Sequence, residues 1–387
     1  MTGTVYVTNN TDNTVSVLNG AACDATHHAG CRRPAPSVPD HEFLIAADPA
    51  TDTLYGGSLT EPQIDVISTA TCHADNLSGC APVAKIPTPD PGSNLGALDD
   101  ATHTLYASDE AEAGTVMVIN TATCNAQQTD GCAAAPATIA VGAFPDVPVL
   151  NPATHTVYVG YGDNANRIAV INAATCNAAD TSGCGQAPGV IKVPPFTFNY
   201  SVSVKTDTLY AATTGFPAPG HTVAVINGAT CNGTNHTGCG HLAATAMVGL
   251  FSQGSAVNDR TNTLYVANNF NGDAPGTLSI INTATCNGTH TAGCHRHFPA
   301  VVIGRAPVLV DMDARTGVIY ATDFGSAAVS ILNGAQCNAT ATTGCQTREQ
   351  AVGSSPLGLA IGPGARTVYV TDLFHSGSVS VFRTAAP

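Results

Sequence analysis

Residues 4–9 read TVYVTN and residues 14–19 read TVSVLN, and near the other end of the chain the same two phrases return as TVYVTD at 367–372 and SVSVF at 378–382. Every second side chain in these phrases is apolar, the signature of a strand with one covered face, and the Asn, Asp and Gly between them make a hairpin loop. Working inward, the pair recurs as TLYGGS with QIDVIS, TLYASD with TVMVIN, TVYVGY with RIAVIN, TLYAAT with TVAVIN, TLYVANN with TLSIIN, and VIYATD with AVSILN. The tyrosines that centre the first phrase are Tyr6, Tyr55, Tyr106, Tyr158, Tyr210, Tyr265, Tyr320 and Tyr369, at intervals of 49, 51, 52, 52, 55, 55 and 49 residues. So steady a period means that one supersecondary unit is used again and again.

Each unit carries two further short runs: a third such as ATIAVG (137–142) or AVVIGR (300–305), and a fourth such as VPVLN (147–151) or VLVDMD (308–313). The fourth ends in DPATD, NPATH or DARTG, where Asp or Asn and Pro suit a tight turn before the next Tyr strand. Four strands in about fifty residues is the size of a propeller blade, because a four-stranded antiparallel sheet covers its faces by stacking on its neighbours around an axis. We label the strands A (the fourth run, innermost), B (the Tyr strand), C and D. The B and C strands number eight and the A and D strands seven, because the chain opens inside a B strand at Thr4 and stops soon after a C strand at Phe382. The reading is therefore all-β: a single β-propeller domain over 1–387 built of four-stranded antiparallel blades, eight in preference to seven. The abrupt start at Met1 suggests a longer parent trimmed at its N-terminus.

The succession TVYVTNN, then TVSVLN, then PLGLAIGPGARTVYVTD (356–372) resembles the YVTN repeat of bacterial and archaeal β-propellers of the surface-layer and YncE-like type. The resemblance covers essentially the whole chain. It implies the propeller fold and leaves function open, since related propellers include lactonases and streptogramin-type lyases as well as binding and surface proteins. The chain departs from the simple repeat by inserting a cysteine loop between strands C and D in seven units.

Composition agrees with a turn-rich β protein. Charged residues make up 10% of the chain, Gly and Pro number 38 and 24, and Trp is absent. The 13 Lys and Arg against 27 Asp and Glu leave a net charge of -14, which repels phosphate backbones and anionic lipid, and nucleic acid is excluded as a partner. No stretch approaches eighteen apolar residues, so no span of a bilayer is expected.

All fourteen cysteines fall in one motif, Cys-x7-Cys: Cys23 with Cys31, Cys72 with Cys80, Cys124 with Cys132, Cys176 with Cys184, Cys231 with Cys239, Cys286 with Cys294, and Cys337 with Cys345. Even, local and complete pairing reads as seven disulfides formed in an oxidising compartment, and hence as an exported protein, extracellular or on the cell surface. A thiolate metal site would need four soft ligands, and seven loops leave a remainder at a spacing unsuited to chelation. Eight of thirteen histidines lie in or just after these loops, as do the sequons at Asn76, Asn232, Asn235, Asn287 and Asn338.

No motif announces catalysis: G-x-S-x-G, the P-loop, H-E-x-x-H and G-x-G-x-x-G are all absent, and His41-Glu42 continues as Phe43-Leu44-Ile45. Topology says more. Antiparallel order sends the D to A and B to C connections to one end of the blades, the end at which propellers bind ligands, and the A to B turns and cysteine loops to the other. The D to A segments offer His41, Glu42, Asp90, Asn94, Asp146, Asn199, Tyr200, Gln253, Arg305 and Ser355 as a ligand-binding set at a channel mouth. The B to C loops add Glu61, Asp109, Glu110, Glu112, Asp163, Asp273, Asp323, Asp372 and His375. Convergent carboxylates, Glu42 and Asp146 foremost, would hold a hard cation such as Ca²⁺ or Mg²⁺. The recurrent Tyr is expected to pack between blades with its hydroxyl on a partner, and the Asn that ends most C strands (Asn19, Asn120, Asn172, Asn227, Asn282, Asn333) to cap the next turn.

Two functions fit. The first is a secreted or cell-surface scaffold, monomeric by default, that binds a protein, a glycan or a small molecule. The second is a lactonase-like or lyase-like enzyme with a divalent cation at the channel mouth, using Glu42, Asp146, Asn199 and Arg305 as ligands or an anion clamp.

Overall fold

The computed structural model describes residues 3–9, 14–32, 34–39, 43–58, 60–109, 114–162, 166–215, 218–269, 274–343, 345–362, 366–373 and 377–383. These residues form eight antiparallel sheets and, beyond three short 3-10 turns, no helix. We number the sheets as blades 1 to 8 by the tyrosines Tyr6 to Tyr369. Blade 3 is representative: strand A is Ser93–Asp99, B Thr104–Asp109, C Thr115–Asn120 and D Ala137–Ala140, hydrogen-bonded in the order A-B-C-D. Six blades have all four strands. Blade 1 has B, C and D (Thr4–Asn9, Thr14–Asn19, Ser37–Pro39) and blade 8 has A, B and C (Pro356–Ile361, Thr367–Asp372, Ser378–Arg383), as the strand count predicts. The A and D runs begin and end within a few residues of their expected bounds.

The chain divides into two compact units, one of residues 1–163 and 168–190, the other of 164–167 and 191–387. In the first, Tyr55, Ile64, Val66 and Ile86 of blade 2 pack with Leu105, Ala107, Met117 and Ile119 of blade 3. In the second, Tyr265, Leu278, Ile280 and Ile303 of blade 6 pack with Val310, Ile319, Ala321 and Leu332 of blade 7. Both faces of the central strands are covered, so B strands such as Thr104–Asp109 are buried at every position rather than alternately.

Two local devices recur. At the A to B turn of blades 2, 3, 4 and 6 the last residue of strand A accepts a hydrogen bond from the amide two residues on, as in Ala50 N–H to Asp48 (2.9 Å) and Ala153 N–H to Asn151 (3.1 Å), which is why these turn motifs begin with Asp or Asn. At the start of strand A the pairing with B skips, between Thr197 and Tyr200 in blade 5, Ser252 and Ser255 in blade 6, and Pro307 and Val310 in blade 7. Such bulges release side chains from the pleat and aim them elsewhere.

Candidate functional site

The two ends of the blades differ in what their residues are engaged in. At the cysteine end, seven disulfides close the Cys-x7-Cys loops as expected and no cysteine is free. Six of the seven loops fold on themselves through two side chains; blade 2 has Ser68 and His73 at these places. The Asn that ends strand C accepts the amide two residues on, as in Asn227 from Ala229 (3.0 Å) and Asn282 from Ala284 (2.9 Å), and so caps the turn. The Asn after the first Cys does this again, with Asn287 Oδ1 taking the amides of Thr289 and His290 and its Nδ2 donating to Thr283 O at 2.7 Å. In blade 1 that place is held by Asp24, whose carboxyl accepts from Thr26 and His27, and these bonds hold it far below the usual carboxylate range.

The closed loop then grips the preceding blade. Tyr55 donates its hydroxyl to Cys124 O (2.8 Å), Tyr106 to Cys176 O (2.9 Å), Tyr210 to Cys286 O (2.8 Å) and Tyr265 to Cys337 O (2.7 Å), while Tyr6 reaches Cys72 O. Beside four of these bonds, the threonine that opens the same B strand accepts a loop amide: Ala126 to Thr53 (2.8 Å), Ala178 to Thr104 (2.9 Å), Gly288 to Thr208 (2.9 Å) and Ala339 to Thr263 (2.9 Å). Burial pushes the hydroxyls of Tyr6 and Tyr265 up to about 12, so they remain donors at any ordinary pH. The expectation that Tyr packs between blades holds, and its partner is the carbonyl of a disulfide cysteine. This end is engaged in architecture.

At the other end the residues differ from blade to blade. In blades 3 to 8 the residue before strand A has a positive φ, and in three successive blades it is a phenylalanine: Phe144 (φ 50°), Phe196 (φ 57°) and Phe251 (φ 51°), with Ala306 and Ser355 following in blades 7 and 8. A bulky side chain in this region costs on the order of 1–3 kcal/mol and marks a position worth asking about. Its carbonyl is what the geometry fixes, since it accepts the amide just past strand B, as in Thr214 to Phe196 (2.9 Å) and Asn269 to Phe251 (3.1 Å). Phe144 is 43% exposed. The rings of Phe196 and Phe198 lie 6.4 Å apart at 60°, and the Tyr200 hydroxyl donates to Thr197 O at 2.7 Å. Aromatic display was missed in the sequence, although AFPDVP, PFTFNY and LFSQGS repeat a Phe directly before strand A.

The expected site residues separate into groups. Asp146, Asn199 and Gln253 all lie within the A-strand bulges, between Pro145 and Pro148, Thr197 and Tyr200, and Ser252 and Ser255. Asp146 is half-buried; desolvation raises its carboxyl even though Val147 N–H donates to it at 2.7 Å. Asn199 is exposed and itself left-handed (φ 62°). Arg305 is exposed and donates to Gly325 O at 2.8 Å, and Asp90 is exposed with its carbonyl bonded to the Thr88 hydroxyl. Asn94 occupies the equivalent bulge of blade 3, between Ser93 and Leu95. His41 and Glu42 lie outside the described residues, as do Glu110, Glu112, Asp163, Asp273 and His375.

Asp109, Asp323 and Asp372, read from the sequence as loop acids, are instead the last residues of their B strands and are 1%, 0% and 4% exposed. The reason is a repeated polar latch. Asp323 Oδ2 accepts from the Ser330 hydroxyl at 2.7 Å, and Ser330 accepts the amide of Gly304 from the preceding blade (3.2 Å). Asp372, Ser380 and Gly353 repeat it, and in blade 6 Asn268 fills the place, donating to Thr277 and Ser279 at 3.0 Å each. A Cβ on Gly304 or Gly353 would collide with the aspartate, which is why glycine ends these D segments. Burial pushes the Asp323 carboxyl up to about 7. Among the described residues no three His, Cys, Asp or Glu side chains gather as a metal-holding group.

Solved structures place this architecture. The β-propeller domain of Cps50 (Swd1) from Myceliophthora thermophila is 10% identical, with a TM-score of 0.56 over 89% of this chain and 97% of that one. The fold is that of a β-propeller. Kuenenia stuttgartiensis hydrazine synthase matches at a TM-score of 0.60 and 17% identity over 89% of this chain and 96% of that one. The dihydro-heme d1 dehydrogenase NirN matches at 0.63 and 11% over 99% and 71%. At these identities the likeness is one of fold alone. No protein-family model and no curated protein sequence matches the chain.

Proposed function

We propose that this protein is an exported, disulfide-clamped β-propeller of the YVTN-repeat type that works by binding, as a monomeric single-domain scaffold outside the cell or on its surface. The observation that carries this reading is the division of labour between the two blade ends. Repeated residues are used up in the loop clamps and the buried latches, whereas the bulges and left-handed turns hold varied side chains, Asp146 beside the uncharged Phe196, Asn199, Tyr200, Phe251 and Gln253. Seven disulfides favour an oxidising compartment, and among the described residues no helix is long and apolar enough to cross a membrane. Rings and amides of this kind suit a glycan, a protein segment or a neutral small molecule. The test is a glycan array and a panel of lactones and peptides, read with wild type and with the Phe196→Ala, Phe251→Ala double variant. Saturable binding of one class that weakens at least tenfold in the variant supports the reading, and no binding by the wild type refutes it.

The second reading, a lactonase-like or lyase-like enzyme assisted by Ca²⁺ or Mg²⁺, draws on the desolvated carboxyl of Asp146. A divalent cation would favour the ionised form and bring that carboxyl back down. Isothermal titration decides between the two. Binding of either ion well below about millimolar, the affinity scale of weak extracellular calcium sites, that falls in Asp146→Asn supports the enzyme, and the absence of heat removes it.

A further inference from the structure

We infer that Asn76 and Asn235 are the residues of this protein open to N-linked glycan transfer, and that the fold closes its other sequons. The chain holds seven Asn-x-Ser/Thr sequons, at Asn9, Asn76, Asn199, Asn232, Asn235, Asn287 and Asn338. Transfer forms a bond between Nδ2 and the anomeric carbon of a lipid-linked pyrophosphoryl oligosaccharide. The carbon–oxygen bond to the pyrophosphate breaks, and Nδ2 gives up one proton to a base of the transferase. The enzyme must therefore reach both the amide nitrogen and the hydroxyl two residues on.

Three sequons fail at the nitrogen because they coincide with the Asn after the first Cys. Asn232, Asn287 and Asn338 are 6%, 2% and 6% exposed. Their Nδ2 atoms donate inside the loop to Gly228 O (2.7 Å), Thr283 O (2.7 Å) and Gly334 O (3.0 Å). Freeing one would unmake the loop that grips the preceding blade. Asn9 fails likewise, with Nδ2 donating to the hydroxyls of Thr14 and Ser16 at 3.0 and 2.9 Å. Asn199 fails at the hydroxyl: its side chain is exposed, but Ser201 is 8% exposed and bonded at 2.6 Å to Ser255 of the next A strand.

The remaining two lie mid-loop, where chain and solvent meet. Asn76 engages only its Oδ1, which accepts from the exposed Ser78 hydroxyl at 2.8 Å, and no hydrogen bond holds its Nδ2 among the described residues. Asn235 keeps one long surface bond from Nδ2 to Ala229 O (3.2 Å), and its partner hydroxyl on Thr237 is exposed, as is His236 between them. Both loops are already closed by their disulfides, so a glycan there extends outward without disturbing a blade.

The experiment treats the whole, aglycosylated, disulfide-intact protein with a single-subunit oligosaccharyltransferase that takes plain sequons, supplied with its lipid-linked donor. Occupancy is read peptide by peptide by mass spectrometry, and a reduced, alkylated and unfolded sample runs in parallel. The folded protein is expected to carry glycan at Asn76 and Asn235 at least tenfold above the other five, while the unfolded chain accepts broadly. The inference is overturned if folded protein is modified at Asn287 or Asn338 as readily as at Asn235. It is equally overturned if Asn76 and Asn235 stay bare in the folded protein, whatever the unfolded chain does.

Discussion

Tyr265 lies at 0% exposure with its hydroxyl on the carbonyl of Cys337, a bond that ties blade 6 to the cysteine loop of blade 7. Tyr265→Phe keeps the ring and leaves a buried carbonyl unpaired, so it should cost about 1–2 kcal/mol; an unchanged denaturation midpoint would show that the bond adds nothing. Asp323 presents the opposite case. Its Oδ1 finds no partner and its carboxyl titrates near 7, so the protonated form is favoured in the folded state. A raised value means that the stabilisation is whole below the unfolded value of about 4 and is lost as the pH rises through the folded value of about 7. Asn268 shows the amide already working at the same place in blade 6. Asp323→Asn should therefore match wild type at pH 4 and exceed it above pH 7 by on the order of 1–3 kcal/mol, read from urea midpoints at the two pH values. Equal stability at pH 8 would mean that the carboxyl is not desolvated. The tyrosine's role was legible from its place mid-strand. The aspartate's was not, because a residue that ends a strand in polar sequence looks like a solvated loop acid until the neighbouring blade's Gly304 covers it.

Among the elements, the cysteine loop was the most legible, since constant spacing, a Gly before the second Cys and a polar interior leave little else for it to be. In Gly293 the reason for the glycine is a close approach to the Thr285 side chain and backbone, where a Cβ would not fit. Removing one bridge with Cys286→Ser and Cys294→Ser should cost about 2–3 kcal/mol by loop entropy alone, and more if the freed loop releases Tyr210. Thermal unfolding with near-ultraviolet tyrosine signal separates the two, because only the second loosens the ring. The left-handed turn before strand A is the element that sequence reading overlooked. Phe251→Gly removes an unfavourable backbone conformation and should leave stability equal or higher by about 1 kcal/mol. A clear loss in the calorimeter would show that the ring is held by packing rather than displayed. Strand pairing rules name hairpins but not bulges, and it is the bulge that sets Asp146, Asn199 and Gln253 apart from the pleat.

For the whole molecule, apolar stacking of blade on blade stabilises the fold more than the disulfides do. Full reduction should lower the melting temperature while leaving the β signal of the circular dichroism spectrum in place at room temperature; collapse of that signal on reduction would reverse the ranking. By itself the sequence determined the number of hairpins, the order of strands within a blade, the incomplete first and last sheets and the pairing of every cysteine. All of these are local, carried by a period of two within strands and about fifty between them. Only the tertiary structure decided which polar residues are spent and which remain. Whether Tyr265 meets Cys337, Asp323 is buried by Gly304, or Asn287 has its amide locked while that of Asn76 is not depends on the blade or loop that comes to lie against each. The contacts of Tyr265 and Asp323 join residues some twenty to seventy positions apart, and no local pattern of side chains records them.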